Sequence, residues 1–159
     1  MKAAATAHKP PREYRKHRDN YRQRLLKERG IDTDGVALVD GSGLAPSNRI
    51  TCDALVGVMD LASRPGYRAL DRGLAVAGQT GTLARRFVGD PLQGVLRAKT
   101  GHIDGVAGFV GIVDDAEHLR FAFLVNGQFT TAQGESLQAT VARLVAAYPQ
   151  AGGTVVPAP

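Results

Sequence analysis

The sequence predicts an α+β domain, and four observations carry that prediction. Val106 to Val113 is almost wholly apolar, which reads as a central strand buried on both faces. Leu119, Phe121, Phe123 and Val125 alternate with other residues, the period of a partner strand. The polar turn from Asp114 to His118 is short enough to make that pair antiparallel. Leu137, Val141, Leu144, Val145 and Tyr148 fall on one helical face and predict a closing helix. With a short strand from Val95 to Ala98, the expectation is an antiparallel sheet of about three main strands, flanking helices and a C-terminal helix.

The other elements follow in order. Residues 12–29 predict a helix with only a thin apolar stripe of Tyr14, Tyr21, Leu25 and Leu26, stopped by Gly30. Residues 36–39 predict a short apolar strand, followed at once by the loop Asp40-Gly41-Ser42-Gly43-Leu44. Thr51 has the chemistry of an N-cap for a helix that ends before Pro65. A second short helix is expected between Pro65 and Arg72, then a glycine-punctuated stretch from Gly73 to Leu83. Gly108 and Gly111, inside the predicted central strand, suggest close approach by another element. The expected organisation is a basic segment over residues 1–29, partly disordered or helical, a body over 30–150, and a flexible tail over 151–159.

Composition bounds the function. A chain of 159 residues, 43% hydrophobic, can pack one core. No apolar run approaches the roughly 20 residues needed to cross a bilayer. The first residues lack the apolar stretch of a secretory signal, so the chain as it stands reads as cytoplasmic. Cys52, the single cysteine, excludes an internal disulfide framework and a cysteine-built metal site, and reads as a small buried apolar residue. No cofactor or metal is expected. The net charge of +5 is uneven: residues 1–29 carry ten Lys and Arg against three acidic residues, a net of +7, and the remainder sums to −2. Such an arm can meet anionic polymers through charge alone, but beyond Tyr14 and Tyr21 it lacks the interleaved aromatics of a base-stacking platform, so no specific nucleic acid is expected.

Lys99 is the only lysine after Lys27 in a chain that otherwise uses arginine there. An ammonium is a compact point charge and a guanidinium a planar fork, so the exception points to chemistry. Lys99, Thr100 and Gly101 in sequence can grip an anionic group with a charge, a hydroxyl and open backbone. Thr100, His102 and Asp104 are conceivable as a triad, but proximity in sequence does not make one.

Three stretches then belong together: Asp40 to Leu44 with Asn48-Arg49-Ile50-Thr51; Ala77 to Leu83 running on to Arg85-Arg86-Phe87; and Arg97 to Gly101 with Gly105-Val106. In that order and spacing, over roughly residues 30 to 148, they resemble the C-terminal part of the serine-type D-alanyl-D-alanine carboxypeptidases of the penicillin-binding protein class, peptidase family S13. Lys-Thr-Gly is one of the motifs of this serine acyl-transfer group. The resemblance implies a partial transpeptidase-like domain, an extracytoplasmic setting, and partners in peptidoglycan stem peptides and β-lactams. It implies that Lys99, Thr100 and Gly101 bind the substrate carboxylate, with Asp40, Ser42 and His102 adjacent to the site.

The chain departs from the family pattern in what it lacks. None of Ser42, Ser47, Ser63 and Ser136 has a lysine three residues on, and no Ser-x-Asn occurs. His102 stands where the family usually has serine or threonine. Without the nucleophile motif the isolated chain is expected to be inactive, a truncated or split homologue for which a companion chain would supply the rest. The alternatives are a non-catalytic module for peptide carboxylates and a basic binder of anionic polymers.

Overall fold

A computed structural model describes residues 21–115 and 117–148; the expectations for residues 1–20 and for the tail beyond 148 lie outside them. The chain forms two compact units, Met1–Ala54 and Leu55–Pro159.

In the first unit, helix α1 occupies residues 21–28 and Gly30 terminates the turn after it at φ +78°. Ile31, Val36 and Ala54 are buried. The strand expected over residues 36–39 does not form; a single bridge joins Ala37 and Arg49. The Asn48 side chain explains this, because its Oδ1 accepts from the N–H groups of Val39 (2.8 Å) and Asp40 (3.3 Å). A side chain thus satisfies the donors that a ladder would have used. Thr51 caps α2 (Cys52–Ala62) as expected, its Oγ1 accepting from the Ala54 N–H at 3.1 Å. Cys52 is exposed, not buried. It lies two positions before buried Ala54, and on a helix that offset points it to nearly the opposite side.

The second unit holds helix α3 (Arg68–Arg72) and a four-stranded antiparallel sheet in sequence order: β1 (Ala75–Val76), β2 (Leu96–Ile103), β3 (Val106–Val113) and β4 (Leu119–Asn126). The two-residue β1 adds to the three strands expected. β2 runs five residues past the predicted end at Ala98, because the ladder with β3 continues to Ile103 opposite Val106. β3 is buried on one face and half-buried on the other. On the buried face Leu83, Leu96, Phe109 and Val113 are fully enclosed, and Phe109 meets Phe121 edge to face at 5.4 Å. The close approach expected at Gly111 is present: a Cβ there would lie 2.3 Å from the Arg97 carbonyl oxygen.

Helix α4 (Thr131–Ala146) closes the unit and begins with a capping box between Thr130 and Gln133. Its buried positions are Gly134, Gln138 and Ala142, spaced four apart. The expected apolar face is therefore split: Val141 and Val145 are half-buried against the core, whereas Leu137, Leu144 and Tyr148 are 41%, 62% and 61% exposed. The helix comes so near the sheet that a Cβ on Gly134 would lie 3.2 Å from that of Ala107, and larger side chains do not fit the seam. A shallow groove lined by Leu119, Arg120, Leu144, Val145 and Tyr148 is left between α4 and β4.

Candidate functional site

The Lys-Thr-Gly triplet lies inside β2, not at its end. Leu96 directs its carbonyl toward β1, where it accepts from the Ala77 N–H at 2.9 Å. Backbone polarity alternates along a strand, so Ala98, Thr100 and His102 present their backbone groups to the same edge. β1 stops opposite Ala98. Among the described residues, that edge has no strand partner from Lys99 to Ile103.

Side chains also alternate, so Arg97 and Lys99 share one face and Thr100 and His102 the other. The two cations are treated differently. Arg97 is half-buried and tied by Nη1 to Asp71 (2.9 Å) and by Nη2 to Asp114 (3.0 Å). Asp114 also holds His118 Nδ1 at 2.6 Å. In sequence Asp114 reads as a turn former; only the fold brings it to Arg97. Lys99 is exposed, and among the described residues no carboxylate pairs with it. Its Nζ donates to the carbonyl of Thr100.

Thr100 Oγ1 lies 3.0 Å from Thr82 Oγ1. Thr82 sits in a 3₁₀ turn, Gly81–Leu83, anchored by fully buried Leu83. Gly101 is exposed, and a Cβ there would meet nothing closer than 3.8 Å. Its carbonyl is approached by Gln138 Nε2 at 3.5 Å, which also donates to the Gly108 carbonyl at 2.9 Å. Gln138 is 2% exposed. Its Oε1 accepts from Arg86 Nη1 at 2.8 Å, and Arg86 Nη2 donates to the Glu135 carbonyl at 3.1 Å. Burial lowers the pKa of Arg86, with the Glu135 charge opposing. α4 is thus bolted to the strand pair beside the triplet, a contact that sequence periodicity hides because its agent is a lone buried amide.

His102 is exposed; its Nε2 lies 3.2 Å from Thr131 Oγ1 and its ring meets Phe129 edge-on at 6.3 Å. Its hydroxyl neighbour is therefore Thr131, and the arrangement with Thr100 and Asp104 is not formed. Asp40 and Ser42 lie in the other compact unit. The Asp40 carboxylate accepts from Ser42 Oγ (2.7 Å), Asn48 Nδ2 (2.9 Å), and the N–H groups of Gly43 (2.9 Å) and Ala45 (3.1 Å). Those bonds, Asn48 and Ser42 first, hold the carboxyl well below the usual range. With both oxygens engaged, Asp40 ties its loop together. Among the described residues no group of three or more His, Cys, Asp or Glu is placed to hold a metal, and no helix is long and apolar enough to cross a membrane.

The model of the D-Ala-D-Ala carboxypeptidase 3 (S13) family matches residues 1–148, so the match includes the basic segment. A D-alanyl-D-alanine carboxypeptidase of an Actinomadura species is 38% identical over 112 residues, which are 66% of this chain and 21% of that protein. Carboxypeptidase DacB of Mycolicibacterium smegmatis is 39% identical over 117 residues, 68% of this chain and 25% of the relative. The chain therefore spans between a fifth and a quarter of these relatives. Penicillin binding protein 4 (dacB) of Haemophilus influenzae superposes with a TM-score of 0.63 at 25% identity, covering 77% of this chain and 30% of that one. The same protein complexed with a β-lactam superposes at 0.64 with 24% identity, covering 77% and 31%.

Proposed function

This chain belongs to the S13 family of D-Ala-D-Ala carboxypeptidases, and from that premise we propose that it binds the C-terminal carboxylate of a peptidoglycan stem peptide along β2 without cleaving it by itself. The observation that carries the proposal is Lys99: an exposed ammonium that, among the described residues, no carboxylate neutralises, on a strand whose edge beyond Ala98 has no strand partner among them. Lys99 supplies the charge, Thr100 a hydroxyl, and Gly101 a stretch without a side chain. An extended peptide could add itself to the open edge by main-chain hydrogen bonds. No Ser-x-x-Lys occurs in the chain, so acyl transfer lacks its nucleophile, and a binding strand alone contributes little rate. A companion chain that brought the missing residues would turn the same strand into half of an active site.

Calorimetric or NMR titration with an acylated Lys-D-Ala-D-Ala peptide tests this. Binding should fall about tenfold or more in Lys99→Ala, as for loss of a charged hydrogen bond, and also when the peptide is amidated at its C-terminus. Equal affinity for the amidated and free peptides refutes carboxylate recognition. Incubation with benzylpenicillin should leave the mass unchanged; a stable adduct refutes the absence of a nucleophile.

A further inference from the structure

Resting on the carboxylate-binding reading above, we propose that Thr82 is a positioning residue for that site: its hydroxyl feeds a hydrogen bond into the Thr100 oxygen and so commits the Thr100 hydrogen to the ligand. The two hydroxyl oxygens are 3.0 Å apart. A hydroxyl carries one hydrogen and two lone pairs. Thr100 therefore cannot donate to Thr82 and to a carboxylate at once. When an anion arrives, the Thr100 hydrogen turns toward it, and the oxygen's vacated acceptor position takes the Thr82 hydrogen. The reversal moves two hydrogens and no heavy atom, and a donor behind Thr100 polarises its O–H and strengthens its bond to the anion.

The turn that carries Thr82 is built to hold still. Leu83 beside it is fully buried. The Gly78 N–H donates to the Leu83 carbonyl at 2.9 Å, and Thr80 Oγ1 accepts from the Val76 N–H at 2.9 Å. Gly81 adopts φ +55° against Ala75, where a Cβ would lie 3.0 Å from that of Ala75. The turn is thus pinned to β1, which pairs with β2 three residues or fewer from Thr100. Both hydroxyls are exposed, so the bond contributes little to folding while water competes. Its worth rises when a ligand excludes that water.

The test compares Thr82→Val, which keeps the shape and removes the hydroxyl, with Thr82→Ser, which keeps the hydroxyl. Thr82→Ala serves as a second deletion. Peptide affinity should fall about three- to tenfold in Thr82→Val and stay within about twofold in Thr82→Ser. In a Thr100→Val background, Thr82→Val should cause no further loss. Without ligand, NMR scalar couplings should show the Thr100 χ1 angle more averaged in Thr82→Val than in the parent. Unchanged affinity in Thr82→Val and Thr82→Ala, or an equal loss in the Thr100→Val background, overturns the relay. If the parent chain binds no peptide, the carboxylate reading itself fails, and the couplings still decide: unchanged χ1 averaging shows that Thr82 does not position Thr100.

Discussion

Gly111 and Gly101 sit in one ladder and should respond oppositely to the same substitution. Gly111 pairs with Ala98, and an added Cβ would lie 2.3 Å from the Arg97 carbonyl oxygen, 2.6 Å from the Ala98 Cβ and 2.8 Å from the Ala98 Cα. Two of these three atoms are backbone at the centre of the sheet, so no side chain can swing away. β2 and β3 would have to separate by about 1 Å to restore contact distance, against a ladder spacing of about 4.8 Å. Overpacking of this kind costs about 3 kcal/mol, and more where backbone must move. For a unit of this size that lowers Tm by roughly 10–20 °C. At Gly101 the nearest atom would be 3.8 Å away, an ordinary contact. Alanine there should leave Tm equal or raise it, since glycine within a strand forfeits about 0.5–1 kcal/mol of backbone entropy. Differential scanning fluorimetry on both variants decides. A Gly111→Ala melting point within about 2 °C of the parent would refute the reasoning.

Three further outcomes are expected. Thr130→Ala should lower urea stability by about 1 kcal/mol, and adding Gln133→Ala should cost less than the sum, because the two residues cap each other. Gln138→Leu should cost about 2 kcal/mol or more by stranding Arg86 and the Gly108 carbonyl, whereas Gln138→Glu keeps an acceptor for Arg86 and loses the donor; equal stability of the parent and Gln138→Leu in urea would show that the amide is dispensable. Asp40 has a carboxyl held below its ordinary range, so its contribution is complete above the unfolded value of ~3.9 and fades as pH falls toward the folded value. The stability gap between the parent and Asp40→Asn should therefore shrink below about pH 4; a gap that stays constant from neutral pH to pH 3 on urea titration contradicts this.

The main strands were legible because their signals are local. The apolar run of β3 and the alternation of β4 need no knowledge of partners. β1 was not legible: two residues carry no period. The length of β2 was hidden because residues 99–103 include a lysine, a glycine and a histidine, and only pairing with Val106 to Val110 makes them strand. The face of α4 was legible only in part, since Val141 and Val145 do pack against the core but the closest contacts lie elsewhere. Hydrophobic periodicity finds large apolar side chains, but this seam is narrow and selects Gly134 and Ala142, with Gln138 admitted because it satisfies two strand carbonyls. At the site, the isolation of Lys99 among arginines was visible in the sequence, whereas Thr82 and Asp114 acquire their roles only through folding.

On one face of β2, Asp71 and Asp114 engage Arg97, whereas among the described residues no carboxylate engages Lys99. In the proposed site the same ammonium acts on an anion at two ranges, as a distant charge and as a contact donor. Salt that shortens the Debye length from about 10 Å at 0.1 M to about 3 Å at 1 M weakens the pull of one charge on a distant anion. It weakens far less the contacts that the Lys99 ammonium and the Thr100 hydroxyl would make with a seated carboxylate. Rising ionic strength should accordingly slow capture far more than it hastens escape.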